Sequence, residues 1–247
     1  MRGRRPQKGF TIIEVMLVLG ISGLMMVGIL VSVNAGISGQ RYKDSANSVV
    51  DYFQGQYSEV ANTRNNRSLE KTCDAAGIQD NPAADSYRGT TDCTIIGRIL
   101  RGDGSEVVSR PIYTTVDVLT LLGEDSEMAL LASANPIEDL EGGDTYSLEW
   151  GARLTPSGGS DVPQKFTMAI IRSPGSGNIH TFSDTTSSVT PIGVLTSNAS
   201  LLATDTVFCV VPEGGITSVT SSPLGVKIIK DSSTPSGVQL IADGGGC

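Results

Sequence analysis

Residues 10–33 form a run of 24 positions in which only Glu14 is ionisable. As an α-helix this run would be roughly 36 Å long at 1.5 Å per residue, enough to cross a bilayer core of about 30 Å. Beyond it the pattern changes. Apolar side chains recur at Tyr42, Ala46, Val49, Val50, Phe53, Tyr57, Val60 and Ala61, spacings of three and four that fall on one helical face. Lys43, Asp44, Asp51, Glu59 and Arg64 fall on the other face. One helix of roughly 80 Å is therefore expected from Phe10 to about Arg64, apolar all round over 10–33 and amphipathic over 34–64.

The stretch 65–93 is rich in Asn, Asp, Pro, Ala and Gly and reads as an irregular loop. Strands are then expected at 94–100 and 107–116, joined by a hairpin turn at Gly102-Asp103-Gly104. Further strands fall at 146–154, 165–172, 179–182 and 206–211. Residues 118–131 run from apolar to acidic and fit a short helix, and 198–203 fit one helical turn. A last hairpin joins 226–230 to 238–242 through Ser-Ser-Thr-Pro-Ser-Gly. The sum predicts an α+β fold: a long N-terminal helix, transmembrane and then amphipathic, packed on an antiparallel β-sheet head. The head, about 185 residues, is large enough for one core.

Charge sets the orientation of the apolar run. Arg2, Arg4, Arg5 and Lys8 precede it, and a short basic segment stays on the cytoplasmic side. The N-terminus is then inside, and the other ~210 residues are outside. An acid within a lone membrane helix costs on the order of 2.5 kcal/mol or more, so Glu14 calls for a cationic partner. Cleavage after Gly9 would supply one, because Phe10 would gain an α-amine one turn from Glu14. Adjacent helices could then pair amine with carboxylate, and breaking such a buried pair costs ~3–5 kcal/mol.

The basic leader ending in Lys8-Gly9, followed by Phe10-Thr11-Ile12-Ile13-Glu14 and an apolar helix, resembles the class III signal of type IV prepilins and of type II secretion pseudopilins. The resemblance covers about 25 residues. It implies that a membrane aspartyl prepilin peptidase cuts between Gly9 and Phe10 and methylates the new Phe10 amine. It also implies that Glu14 guides assembly by meeting the first residue of a neighbouring subunit. One departure is that many such helices carry a proline near the membrane exit, where this chain has Val31. Flexibility would come from Gly20, Gly23, Gly28, Gly36 and Gly39, each costing up to ~1 kcal/mol relative to Ala in a helix. An ordinary secretory signal would have a core of about 7–15 apolar residues before a small-residue cleavage site, and Val33-Asn34-Ala35 offers a poor one. A plain signal anchor explains length and orientation but not the spacing of Gly9 and Glu14.

Composition narrows the partners. The formal charge is −8, and loss of the leader leaves 14 basic against 26 acidic residues, −12. A surface that acidic does not draw nucleic acid by counterion release. Four cysteines, Cys73, Cys93, Cys209 and Cys247, lie on the expected extracellular side and allow three connectivities. The shortest loops come from Cys73–Cys93 with Cys209–Cys247, and a bridge from the last residue resembles the C-terminal disulfide-bounded loop of many type IV pilins. The single histidine, His180, reads as a solvated surface imidazole. Arg101-Gly102-Asp103 matches the integrin-binding tripeptide, which the hairpin turn explains sufficiently. The acidic clusters 124–127 and 138–144 could recruit calcium but read as solvated loops. No nucleophile elbow or phosphate loop occurs, so no enzyme, cofactor or metal is expected.

Four segments follow: a cleaved cytoplasmic leader (1–9), the transmembrane and filament-core half of the helix (10–33), its amphipathic half (34–64) and an extracellular β-rich pilin head (65–247). The resemblance implies a structural subunit of a type IV pilus, held in the cytoplasmic membrane with its N-terminus inside and then assembled into an extracellular filament. Its partners would be prepilin peptidase, the bilayer, the assembly machinery and other pilin subunits. The large acidic head leans toward a minor pilin serving adhesion, twitching motility or DNA uptake. A type II secretion pseudopilin is the alternative, and a single-span surface receptor or adhesin is the rival from another class.

Overall fold

Thr11 and Glu14 open the one long helix, α1, which runs Ile12–Ala61 over 50 residues. This computed structural model describes residues 9–62, 71–74, 77–80, 94–115, 126–158, 162–202, 205–212, 224–242 and 247. Among them the strands are β1 (Lys71–Asp74), β2 (Gly77–Asp80), β3 (Thr94–Gly102), β4 (Glu106–Thr114), β5 (Ile137–Glu138), β6 (Asp144–Ser147), β7 (Arg153–Pro156), β8 (Phe166–Arg172), β9 (Ile179–Asp184), β10 (Thr206–Val211), β11 (Leu224–Ile228) and β12 (Val238–Ile241). Two short helices, α2 (Glu127–Ser133) and α3 (Ile192–Ser197), complete the set. The chain divides into two units, Met1–Arg41 and Tyr42–Cys247, with α1 contributing to both.

The second unit holds two sheets and a separate hairpin, where the sequence pattern predicts one antiparallel sheet. The larger sheet has the order β5-β4-β3-β8-β9, with β6 beside β5 on the same edge of β4. The smaller has the order β12-β11-β10-β7, and β1 pairs with β2 alone. Every pairing is antiparallel. The split arises inside the stretch expected to be one strand over 146–154. After β6 a single 3-10 turn, Glu149–Gly151, places Trp150 at φ 57° and Gly151 at φ 67°. Two successive left-handed residues turn the chain out of the larger sheet, and β7 enters the smaller one.

The β1–β2 hairpin also corrects the expectation of an irregular loop over 65–93. Strands of four residues in a polar setting carry too little alternation to be read from sequence. The hairpin of β3 and β4 forms as expected, around a bulge between Ile95 and Gly97. A Cβ at Gly97 would strike the Ile170 carbonyl, so β8 can approach only because this position is glycine.

Three layers meet in the main core. The buried stripe of α1, Tyr42, Ala46, Val49, Val50, Phe53, Tyr57 and Val60, packs on Leu100, Val107, Phe166, Met168 and Ile170 of the larger sheet. It also packs on Leu154, Phe208, Val210, Val226, Ile228 and Val238 of the smaller. Lys43, Asp44, Asp51 and Glu59 are exposed as expected; Ala61 is exposed too, one position past the buried stripe. Strand β8 is buried on both faces. Its alternate residues Ala169 and Ile171 join Ile96, Ile99, Ile112 and Phe182 under Leu131 of α2 and Ile192 and Leu195 of α3. The near-continuous apolar run of β8 is the signature of a strand covered on two sides.

Polar side chains on α1 stitch the layers. The Tyr42 hydroxyl donates to the Val210 carbonyl at 2.9 Å and accepts from the Leu224 amide at 2.7 Å. Gln54 Nε2 donates to the Val238 carbonyl at 3.0 Å. Ser109 Oγ on β4 donates to Gln56 Oε1 at 2.6 Å and accepts from Arg98 Nε at 2.8 Å. Burial raises the pKa of Tyr42, although the Leu224 amide opposes the shift. Burial likewise pushes Tyr52, which stacks on Tyr146 with ring centroids 4.3 Å apart, up to about 12.

Candidate functional site

The N-terminal segment carries the candidate chemistry, and its geometry starts from a helix cap. Glu14 N–H donates to Thr11 Oγ1 at 3.3 Å, while Thr11 N–H and Oγ1–H donate to Glu14 Oε2 at 3.0 and 3.1 Å. This is a capping box, in which residues at the N-cap and N3 positions satisfy each other's amides. The Thr11-x-x-Glu14 spacing before an apolar run is its sequence signature, which the reading of Glu14 as a charge in search of a partner passed over. The two bonds to the carboxylate both go to Oε2, so Oε1 takes no part in the cap.

Around the cap the chain is open. Gly9 has no heavy atom within 4 Å of where a Cβ would stand, and Phe10 is 86 % exposed. The peptide joining them lies ahead of the first helical turn, accessible to an enzyme. From Ile12 to Val33 the large apolar side chains are exposed as well. Among the described residues α1 is the one helix long and apolar enough to cross a membrane. Uncovered apolar surface of this extent needs lipid or other helices against it. Gly20, Gly23 and Gly28 leave flat places along it where a neighbouring helix backbone can come close. The basic residues Arg2, Arg4, Arg5 and Lys8 lie outside the described residues.

The other candidate residues have structural occupations. The predicted solvated cluster at 138–144 is tied into the fold: Glu138 accepts from Arg101 Nε at 3.0 Å and from Arg110 Nη1 at 2.8 Å. Asp139 Oδ1 accepts the amides of Glu141 and Gly142, and Asp144 pairs with Arg98, which also pairs with Glu59. Arg98 thereby joins α1, β3 and β6. Arg101 is engaged by Glu138, Gly102 lies under the Phe166 ring, and Asp103 Oδ1 caps the hairpin turn, so the Arg-Gly-Asp triplet serves the fold. Of the cluster at 124–127, Ser126 caps α2 and Glu127 opens it; Glu124 and Asp125 lie outside the described residues.

His180 corrects its expectation too. Its side chain is 16 % exposed and stands between Asp231 and Glu127, brought to it by the β11–β12 turn and by α2. Partners 51 and 53 residues away leave no local signal. Cys209 and Cys247 form a disulfide, while the pairing of Cys73 with Cys93 lies outside the described residues. Cys209 follows Phe208 on β10 and so points to the face away from α1, where the Cys247 sulfur would stand 3.1 Å from a Cβ at Gly225.

Residues 4–30 match the family model described as the prokaryotic N-terminal methylation motif. No match was found among curated proteins or among solved structures. The matched segment contains Gly9, Phe10, the capping box and most of the exposed apolar helix, and it implies processing by prepilin peptidase. With a long N-terminal apolar helix followed by antiparallel sheets, the match supports a type IV prepilin-like protein with a class III signal at its N-terminus.

Proposed function

We propose that the chain is a structural subunit, a minor pilin, of a type IV pilus. The match of residues 4–30 to the N-terminal methylation motif is the observation that carries this reading. Prepilin peptidase cuts between Gly9 and Phe10 and methylates the Phe10 amine. The apolar half of α1 holds the subunit in the cytoplasmic membrane until it packs among the helices of other pilin subunits in an extracellular filament. Glu14 keeps its cap through Oε2 and receives the Phe10 amine of a neighbour at Oε1. Both charges are then neutralised in an apolar bundle, and the meeting sets the register of one subunit on the next. The chain is the substrate of an enzyme and performs no reaction itself. The two-sheet head and the charge of −12 after processing favour a minor subunit serving adhesion or motility over one that captures DNA. A type II secretion pseudopilin would share the signal, whereas an anchored receptor would keep its leader.

Mass spectrometry of the N-terminal peptide, from membranes and from filaments sheared off the native cells, tests the proposal. A terminus at singly methylated Phe10 is expected in the sheared fraction. Gly9→Val should leave the leader in place and the protein in the membrane. Glu14→Ala should be cut and methylated yet fall at least tenfold in the sheared fraction. A wild-type chain that begins at Met1 or Arg2 in cells with active prepilin peptidase would sink the filament reading and favour the anchored receptor.

A further inference from the structure

Between Val33, the last residue of the apolar run, and Tyr42, the first residue of the core, α1 crosses eight positions, Asn34-Ala35-Gly36-Ile37-Ser38-Gly39-Gln40-Arg41. The helix is continuous through them. Gly36, Ile37, Ser38, Gln40 and Arg41 are exposed and Gly39 is half-buried. The division of the chain into two units falls at the end of this stretch, after Arg41. On its far side the helix is fixed at once, because the Tyr42 hydroxyl bonds to both Val210 and Leu224.

Six glycines interrupt α1, and their surroundings differ. Each makes the helix about fivefold less favourable against coil than alanine would. Gly20, Gly23 and Gly28 lie within the apolar run, where lipid offers no partner to a released N–H or C=O, so the helix has no alternative there. Gly55 lies between Phe53 and Gln56, both buried, and the packed stripe holds the backbone around it. Gly36 and Gly39 have neither support. Water can take their backbone groups, and an unpacked helical stretch of this length is marginal in water. Neither is a glycine in order to admit a neighbour within the subunit, since beyond the helix's own turns no heavy atom lies within 4 Å of a Cβ built at either position.

We infer that residues 34–41 are a helix–coil joint built into α1, which opens and re-forms while the segments before and after it stay helical. The apolar half keeps its backbone bonds in lipid and the packed half keeps its cover. Motion is taken up by the residues that belong to neither. Segments that move in a transition are drawn from the least stable parts of a structure. The use of the joint rests on the filament reading: a subunit that leaves the bilayer for a helical bundle can change its surroundings without unfolding its head.

Hydrogen–deuterium exchange of the full chain in detergent micelles, read by mass spectrometry of its peptic peptides, tests the joint. Residues 34–41 should exchange roughly tenfold faster than 12–33 and 42–60. Gly36→Ala/Gly39→Ala, which meets no steric obstacle, should slow them about 25-fold. Gly55→Ala, equally unobstructed, should leave 34–41 unchanged. Protection of 34–41 equal to that of 42–60, or exchange indifferent to the double substitution, would overturn the inference. Fastest exchange around Gly20, Gly23 and Gly28 would overturn it too, by placing the weak point in the apolar run. Exchange reads the joint whether or not the chain forms filaments. Its use is read separately in native cells, where Gly36→Ala/Gly39→Ala should be cut and methylated like the parent and fall severalfold in the sheared fraction. Parent yield there, together with slowed exchange, would overturn that use, whereas a parent chain missing from the sheared fraction would be a failure of the filament reading instead.

Discussion

Glu138 shows how one residue can hold several strands in place. Its side chain is 9 % exposed and lies between Arg101 of β3 and Arg110 of β4. Burial alone would raise its pKa, but hydrogen bonds and charge from the two guanidinium groups hold it below the ordinary carboxylate range. A carboxylate depressed in the folded state stabilises fully above its unfolded pKa of about 4.3, and that contribution is lost as pH falls through the folded value. Glu138→Gln should therefore cost about 3 kcal/mol at pH 7, where it leaves two cations without their partner. Below the folded value the two proteins should converge. Urea melts at pH 7 and pH 3 followed by the fluorescence of Trp150, the one tryptophan, check this, and equal midpoints at pH 7 would show the network to be inert. None of it was legible in the sequence, because Glu138 and Arg101 are 37 residues apart. The N-terminal methylation motif over residues 4–30 was legible for the opposite reason, being confined to one contiguous stretch.

At the scale of elements, α1 was legible over nearly its whole length, because a period of 3.6 residues is a local property and the buried face follows from it. Strand β10 was legible at both ends. What did not follow was the assignment of strands to sheets, since a strand of four to seven residues shows which way its side chains alternate and nothing about its neighbour. Helix α3 was missed because Ile192–Ser197 is six residues long, contains Gly193, and repeats too briefly to show a period. Phe53 joins the elements. Its ring lies 6.1 Å from Phe166 of the larger sheet and 6.2 Å from Phe208 of the smaller, and those two rings are 4.7 Å apart. Phe53→Ala would open a cavity where all three layers meet, and a loss of about 3–5 kcal/mol is expected. Chemical denaturation of the full chain in micelles measures it; a loss below about 1 kcal/mol would mean that the layers close without this ring.

For the whole molecule, the Cys209–Cys247 bridge closes a loop with a sequence separation of 38 and fixes the last residue to the middle of the smaller sheet. On the chain-entropy model a loop of that length contributes about 4 kcal/mol. The double variant Cys209→Ala/Cys247→Ala should lower the urea midpoint under oxidising conditions by that order, and an unchanged midpoint would show that the strands hold the terminus unaided. The long reach of α1 has a further consequence, in the timing of synthesis. Gln54 bonds to Val238, 184 residues later, and Tyr42 bonds to Leu224, 182 residues later. At ~5–20 residues per second the ribosome needs roughly ten seconds or more to deliver those strands after the helix has been made. Through that interval the stripe from Tyr42 to Val60 lacks the part of its cover that Leu224, Val226, Ile228 and Val238 supply. A chain that stalls before β11 and β12 emerge would leave one side of this stripe uncovered, so the last strands complete the burial that the helix begins.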